Sequence, residues 1–404
     1  MLSNKVRIAI LNDNQSRSQP GAATIAELYF NYLKNHYECQ FWSTSMCSSR
    51  KNNRRHDIKL MPSIIPKFLN KNRKIWALYY EFAQISPLFW IYFRCKDFKP
   101  DVIWIHQIGY HFPRTVIFIA KLLGIKIIYT FHDYSIVLNR KLYPSDFGIK
   151  KSEIDKEVIN LLSNNIDSKI IRENLQLEII DRVRLYFNLK LLNLCYANVA
   201  ISSLQSKILK LFNIPISLVI NNSVPINTSS LDAKNLAKDE RELRILLAGR
   251  TIGKGFDSFL SRLKNTEDFF VHAAGDSALL ELLSKFNKEL KFEYHGMIPS
   301  HQLAKLIKSV DVVAVPSVCF DVFPTITLEA LSLGVPVITT RTTGNFPIIE
   351  AAAPLLVISS DESQLIDLTY LRIAIQEFKD NISKIDLPNL KVTISNYTKL
   401  FNCN

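Results

Sequence analysis

No two cysteines in this sequence stand at the spacing of a metal clasp or a redox pair. The six (Cys39, Cys47, Cys95, Cys195, Cys319 and Cys403) are scattered over 404 residues. Small zinc sites and dithiol centres therefore have no support, and a reducing cytosol is the default expectation. No helix-turn-helix, zinc-finger or RNP-like pattern appears, which argues against a nucleic-acid partner. The GxxxxGK[ST] spacing of a Walker A loop is missing. No DxD pair stands out at a strand end, and no metal is needed in principle where cations and amides can take that role; no cofactor is expected. The opening "MLSNKVRIAILND" has no secretory apolar region, because "VRIAIL" is only six residues long and ends in polar ones. The longest apolar run, "IWALYYEFAQISPLFWIYFR", is interrupted by Glu81, Gln84 and Pro87. That suits one buried or surface-lying helix over Trp76–Phe93 better than a membrane span.

Acidic residues are scarce in one part of the chain. The net charge is +13, and residues 1–150 carry 22 Lys and Arg against 9 Asp and Glu, while the remaining 254 carry 28 of each. The densest piece, Arg50–Lys74, holds nine bases against the single acid Asp57 and mixes them with Leu60, Met61, Ile64, Ile65, Phe68 and Leu69. It reads either as a solvated loop or as a face for an anionic membrane surface.

What is present is a repeating α/β texture. With 48% hydrophobic and 22% charged residues, the chain can bury large cores, and its length calls for two domains. Short runs rich in Val and Ile alternate with helical segments, as in parallel α/β sheets. The first half offers "VRIAIL", "CQFW", "DVIWIH", "KIIYTFH" and "NVAIS" as strands. The second offers "LRILLAG", "FFVHAAG", "FEYHG", "VDVVAVPS", "PVITT" and "LLVIS". Between 151 and 194 the strand signal stops, and two inserted helices are expected. The expected fold is two doubly wound Rossmann-like domains facing a cleft. The boundaries are 1–224 for the first domain with its insert, 225–240 for a polar linker, 241–385 for the second domain, and 386–404 for a segment returning to the first.

Ligands of such sheets bind beyond the carboxyl ends of the strands, so the loops there carry the candidates. "LAGRTIGKG" follows one strand and brings Gly249, Arg250 and Lys254 together, two cations beside flexible backbone. An arginine fork and a lysine point charge suit a diphosphate, although a charged turn capping a helix has the same look. "FDVFPTITLEALSLGVPVI" places Asp321 ahead of a helix and Glu329 inside it. Phe323, Pro324, Thr325 and Ile326 sit between them, where Pro324 starts a helix and free amides can meet an anion. Carboxylates accept hydrogen bonds from paired sugar hydroxyls. In the first half, Gly21 permits close backbone approach, and His106 and His132 stand at strand ends.

Taken together, these residues resemble the GT-B glycosyltransferases, specifically the large retaining family known as glycosyltransferase family 4. The resemblance rests on "LAGRTIGKG", "YHGMIPSHQLAKLIKSVDVVAVPS" and "FDVFPTITLEALSLGVPVITTRTTGNFPIIE". In that family the last segment holds an E-x7-E signature, here Asp-x7-Glu. "GAATIAEL", "PDVIWIHQIG", "KIIYTFHDY" and "VINNSVP" are similar to its weaker landmarks. The resemblance implies that Asp321 contacts the donor sugar and Glu329 the nucleotide ribose. It implies phosphate contacts from the amides of Phe323–Ile326, with Gly21 close to the diphosphate. Arg250 and Lys254 would neutralise the leaving diphosphate, and His132 would stand by the donor sugar or the acceptor hydroxyl.

The expected activity is retaining transfer of a hexose-type sugar from a UDP- or GDP-sugar to a glycan or polyprenyl-linked acceptor. The expected setting is bacterial surface-polysaccharide synthesis in the cytoplasm, at the inner face of the cell membrane. Another GT-B enzyme, such as a sugar-nucleotide epimerase or a phosphorylase, remains an alternative. So does a weakened GT-B module that binds a glycan or a protein.

Overall fold

The computed structural model describes residues 6–13, 21–44, 55–58, 78–138, 140–163, 177–224, 242–286, 290–361 and 364–402, with 55–58 and 79–80 as backbone only. The chain folds into two compact units. One comprises residues 1–140, 176–222 and 390–404, the other residues 141–175 and 223–389.

The first unit is built on seven parallel strands: β1 (Arg7–Asn12), β2 (Glu38–Thr44), β3 (Arg55–Ile58), β4 (Val102–Gln107), β5 (Lys126–Phe131), β6 (Ala197–Ala200) and β7 (Leu218–Val219). They lie in the order β3-β2-β1-β4-β5-β6-β7. Ile8, Ile10, Trp104 and Ile128 from the strands pack with Tyr29 and Phe30 of the helix Ala22–Leu33. A strand covered on both faces reads as an unbroken apolar run, and "IAIL" and "VIWI" do so for that reason. The helix Leu390–Asn402 closes the same core with Tyr397 and Phe401, and the Tyr397 ring lies 4.2 Å from that of Trp104.

The second unit has five parallel strands: β8 (Leu243–Gly249), β9 (Phe269–Gly275), β10 (Lys291–Tyr294), β11 (Val312–Val315) and β12 (Val337–Thr339). Their order is β10-β9-β8-β11-β12. The doubly wound α/β class is thus observed in both units. Each sheet reverses its winding beside its first strand, between β1 and β4 and between β8 and β11. Strand ends splay apart at such a reversal and leave a crevice. In the second unit the loops that meet there are Arg250–Gly255 and Pro316–Pro324.

Three expectations need correction. The described part of the expected helix Trp76–Phe93, residues 78–93, is not one helix. A π-helical turn spans Tyr79–Ala83, the chain is extended at Gln84 (φ −70°, ψ 109°), and a helix runs over Ile85–Phe98. The break turns Glu81 inward, where its carboxylate meets the guanidinium groups of Arg114 and Arg184. "LLVIS" is not a strand: Pro354–Leu356 form a 3₁₀ turn, and a single bridge joins Val357 to Thr339. Pro354 fixes its own φ and donates no ladder bond, which favours the turn.

Finally, residues 141–163 belong to the second unit rather than to the first. The Phe320 N–H donates to the Leu142 carbonyl at 2.8 Å. Asp155, on the helix Ile154–Leu162, accepts from Ser359 Oγ at 2.9 Å and Ser360 Oγ at 3.0 Å. These polar pairings are long-range and leave no periodic trace. The expected linker, 225–240, lies outside the described residues, as does most of Arg50–Lys74.

Candidate functional site

The second unit assembles most of the candidate residues. β8 ends at Gly249, whose φ of 117° falls where L side chains are strained. Arg250 follows, exposed, with no hydrogen-bond or ion-pair partner among the described residues. The turn is fastened by Asp276, which accepts from the Thr251 hydroxyl at 2.6 Å and from the Thr251 N–H at 3.2 Å.

Lys254 stands between two glycines for a steric reason. A Cβ on Gly253 would lie 2.7 Å from Cys319 Sγ, and one on Gly255 would lie 2.2 Å from the Pro316 carbonyl oxygen. The loop therefore presses against residues 316–319, with Val318 and Cys319 donating to the Gly253 carbonyl at 3.1 and 3.3 Å. That contact carries Lys254 to Asp321, and the two form an ion pair.

Asp321 is held from several sides. Its N–H donates to the Thr342 carbonyl at 3.0 Å, and Gly344 N–H donates to its carbonyl at 2.7 Å. Ser317 Oγ donates to Oδ2 at 3.2 Å. Burial alone pushes the carboxyl up, but the charges of Lys254 and Lys141, with the hydrogen bonds from Lys254 and Ser317, outweigh it and hold the group below its ordinary 3.8. Asp321 is therefore an anion at neutral pH.

Val322, Phe323 and the helix start at Pro324 follow, and the helix runs Thr325–Ser332. Phe323 and Ile326 are buried, Thr325 is half-buried, and Asn345 Nδ2 donates to the Pro324 carbonyl at 3.0 Å. Glu329 lies in the same helix at 9% exposure. Its carboxyl has no hydrogen-bond donor or ion-pair partner among the described residues, and burial pushes it up to about 7. A buried carboxyl without a donor among the described residues, its pKa raised by burial, is a candidate for a functional site.

The first unit carries the other candidates. Gly21 starts the helix Ala22–Leu33 at φ 97°, and a Cβ there would meet nothing within 4 Å. Its φ explains the glycine, and among the described residues nothing crowds it. His106 and His132 end β4 and follow β5, and their rings stack 5.0 Å apart with His106 Nδ1 2.8 Å from His132 Nε2. His106 is 1% exposed, between Trp104 and His132, so it orients His132 from within the core rather than facing a ligand itself. Burial lowers the His132 imidazole to about 4, against the pull of Asp133. It is a neutral donor or acceptor at pH 7, half-buried at the strand end.

Sequence reasoning missed Lys141, Ser317 and the Thr340–Asn345 scaffold. Thr340 Oγ1 donates to the Ser317 carbonyl at 2.7 Å, and Thr339 and Thr343 share a hydroxyl contact of 2.8 Å. Four threonines in "TTRTTGN" were the available signal. Lys141 left none.

The folds of the two units together are those of a GT-B protein. Over residues 229–382 the chain matches the model of the family described as glycosyl transferases group 1. An uncharacterised glycosyltransferase of Methanocaldococcus jannaschii is 27% identical over 175 residues, which cover 39% of this chain and 45% of that protein. The chain thus aligns with under half the length of that relative. Among solved structures, the sucrose-phosphate synthase of Thermosynechococcus elongatus superposes with a TM-score of 0.63 at 14% identity, covering 98% of each chain. The Anabaena protein HepE, crystallised with UDP and glucose, gives 0.57 at 12% identity over 98% of this chain and 99% of its own. At such identities the structural likeness carries the fold, and the family match supports glycosyl transfer. Among the described residues no helix is long and apolar enough to cross a membrane.

Proposed function

We propose that the protein is a retaining glycosyltransferase of the family 4 type. It moves a hexose-type sugar from a nucleotide diphosphate sugar to a glycan or lipid-linked acceptor in bacterial surface-polysaccharide synthesis. The observation that carries the reading is the buried, partnerless carboxyl of Glu329. It sits five residues after the helix start at Pro324, which follows the anionic Asp321. Ribose hydroxyls supply the donors Glu329 lacks. The N–H groups of Phe323, Thr325 and Ile326 take the phosphates. Arg250 and Lys254 meet the charge that grows on the diphosphate as the bond from the anomeric carbon to its oxygen breaks. The acceptor oxygen then bonds to the anomeric carbon, and its proton passes to the departing phosphate. Asp321 takes the hydroxyls of the donor sugar, and His132 serves as a neutral hydrogen-bonding group for a sugar hydroxyl. UDP is the first nucleotide to test, since HepE binds it, with GDP as the comparison.

Exposed apolar stripes on the first unit favour a membrane-linked acceptor. The helix Ile85–Phe98 exposes Ile85, Phe89 and Phe93, with Arg94 and Lys96 beside them. The helices Val116–Leu122 and Ile179–Leu192 expose Phe118, Leu122, Val183 and Tyr186, with Lys121 and Lys190. Apolar side chains framed by bases suit an anionic lipid surface. The activity is tested by release of nucleotide diphosphate from a panel of UDP- and GDP-sugars, with and without lipid-linked glycan acceptors. Acceptor-dependent release is expected. Nucleotide binding without turnover of any donor would favour the weakened binding module instead.

A further inference from the structure

We propose that the chain binds one divalent transition-metal ion of the zinc class through His272, Glu293 and His295, on the free edge of its five-stranded sheet. β10 is the edge strand, and its parallel pairing with β9 sets Glu293 across from His272. The His295 N–H donates to the Ala273 carbonyl at 2.8 Å, which carries the pairing one residue past the strand. Side chains alternate along a strand, so Glu293 and His295 share a face, and the cross-strand partner His272 shares it too.

The donor atoms converge. His272 Nδ1 lies 3.1 Å from His295 Nε2 and 3.5 Å from Glu293 Oε2, and His295 Nδ1 lies 3.7 Å from Glu293 Oε1. The two imidazoles stack at 5.4 Å. One ligand atom from each residue lies within 4.8 Å of the other two. A tetrahedral ion with bonds of about 2.0–2.2 Å spaces its ligands by roughly 3.3–3.6 Å. Small rotations at the side-chain ends supply the difference. Two imidazoles and a carboxylate form a zinc-type donor set with a fourth position for water. The two histidines are half-buried and Glu293 is exposed, so an ion enters from solvent.

The cluster stands apart from the donor residues. Those follow β8 and β11, whereas this one sits on the β9–β10 edge. The ion therefore acts as a clasp on an edge strand, which has one row of backbone groups without a neighbouring strand. Tyr294, between the two β10-side ligands, reinforces the clasp through its hydroxyl, which donates to the Gly275 carbonyl at 3.0 Å.

The test uses untagged full-length protein freed of metal with a chelator. Zinc chloride is titrated in by calorimetry, and cobalt(II) is followed in the visible spectrum. Expected are one ion per chain, an intense tetrahedral cobalt band and a higher unfolding temperature with zinc. His272→Ala and His295→Ala should each lose at least tenfold in zinc affinity, together with the cobalt band. Glu293→Gln, which keeps the side-chain shape, should weaken zinc by a smaller factor. No zinc binding below millimolar concentration would overturn the assignment. So would equal binding by the wild type and a folded His272→Ala/His295→Ala variant.

Discussion

Two buried glutamates differ in what surrounds them. Glu81, in the first unit, is 3% exposed and surrounded by donors. Arg114 and Arg184 pair with it, and Asn188 Nδ2 donates to it at 3.2 Å. Glu329, in the second unit, is 9% exposed with no donor among the described residues. Burial alone does not separate architecture from function. The partners do: a buried acid with every oxygen satisfied holds the fold, and a buried acid left alone destabilises it. Asp321 stands between these extremes. It is charged and paired with Lys254, the cation that the proposed function gives to a diphosphate.

The contrast predicts opposite effects on stability. Glu81→Ala strands two buried guanidinium groups and should cost about 3–5 kcal/mol, read as an early midpoint in urea unfolding. A change under about 1 kcal/mol would remove Glu81 from the scaffold.

Lys254→Ala should fold normally and lose roughly a hundredfold to a thousandfold in turnover, on the scale of one deleted transition-state donor. Arg250→Ala, more exposed, should lose less, about tenfold or more. Steady-state rates with the best donor decide this, and near-normal turnover in both would break the diphosphate assignment.

Glu329→Gln should gain stability where Glu81→Ala loses it. The folded-state pKa is raised from 4.5 to about 7, so the folded protein holds the proton more tightly than the unfolded chain. The wild type thus loses stability as pH rises from about 4.5 to 7, and the full penalty stands above 7. The raised pKa corresponds to at most about 3–4 kcal/mol. Melting curves should show the Gln variant more stable at pH 8 and level with the wild type at pH 4. A Gln variant less stable at pH 8 would mean that Glu329 is a scaffold acid like Glu81.

The smallest effect is expected for Asp321→Glu, which moves the carboxylate by about one bond length. Relative rates across a donor panel should shift by a few fold, because specificity rests on such hydrogen bonds, while the melting temperature stays within a few degrees. Identical relative rates would place Asp321 outside the sugar pocket.

Much of the second unit was legible in the sequence. "LRILLAG" and "FFVHAAG" coincide with β8 and β9, because most of their residues are apolar and buried, as in parallel strands. The pair Asp321 and Glu329 was visible through its spacing about a proline that starts a helix. What stayed hidden depends on partners distant in sequence. Glu81 looked like an interruption of a helix, and its two arginines lie 33 and 103 residues further along. Lys141 reaches Asp321 only because the segment that carries it packs with the second unit. His106 and His132 looked alike as strand-end histidines, and only packing separates the buried one from the half-buried one. Periodicity reports which face is covered, not what covers it.

The most direct measurement is calorimetric titration of UDP into the wild type and Glu329→Gln at pH 8. The account predicts one site per chain in the wild type and roughly fivefold to 150-fold weaker binding in the variant, as expected when about 1–3 kcal/mol of hydroxyl contacts is lost. Equal affinity in a folded Glu329→Gln protein would contradict it.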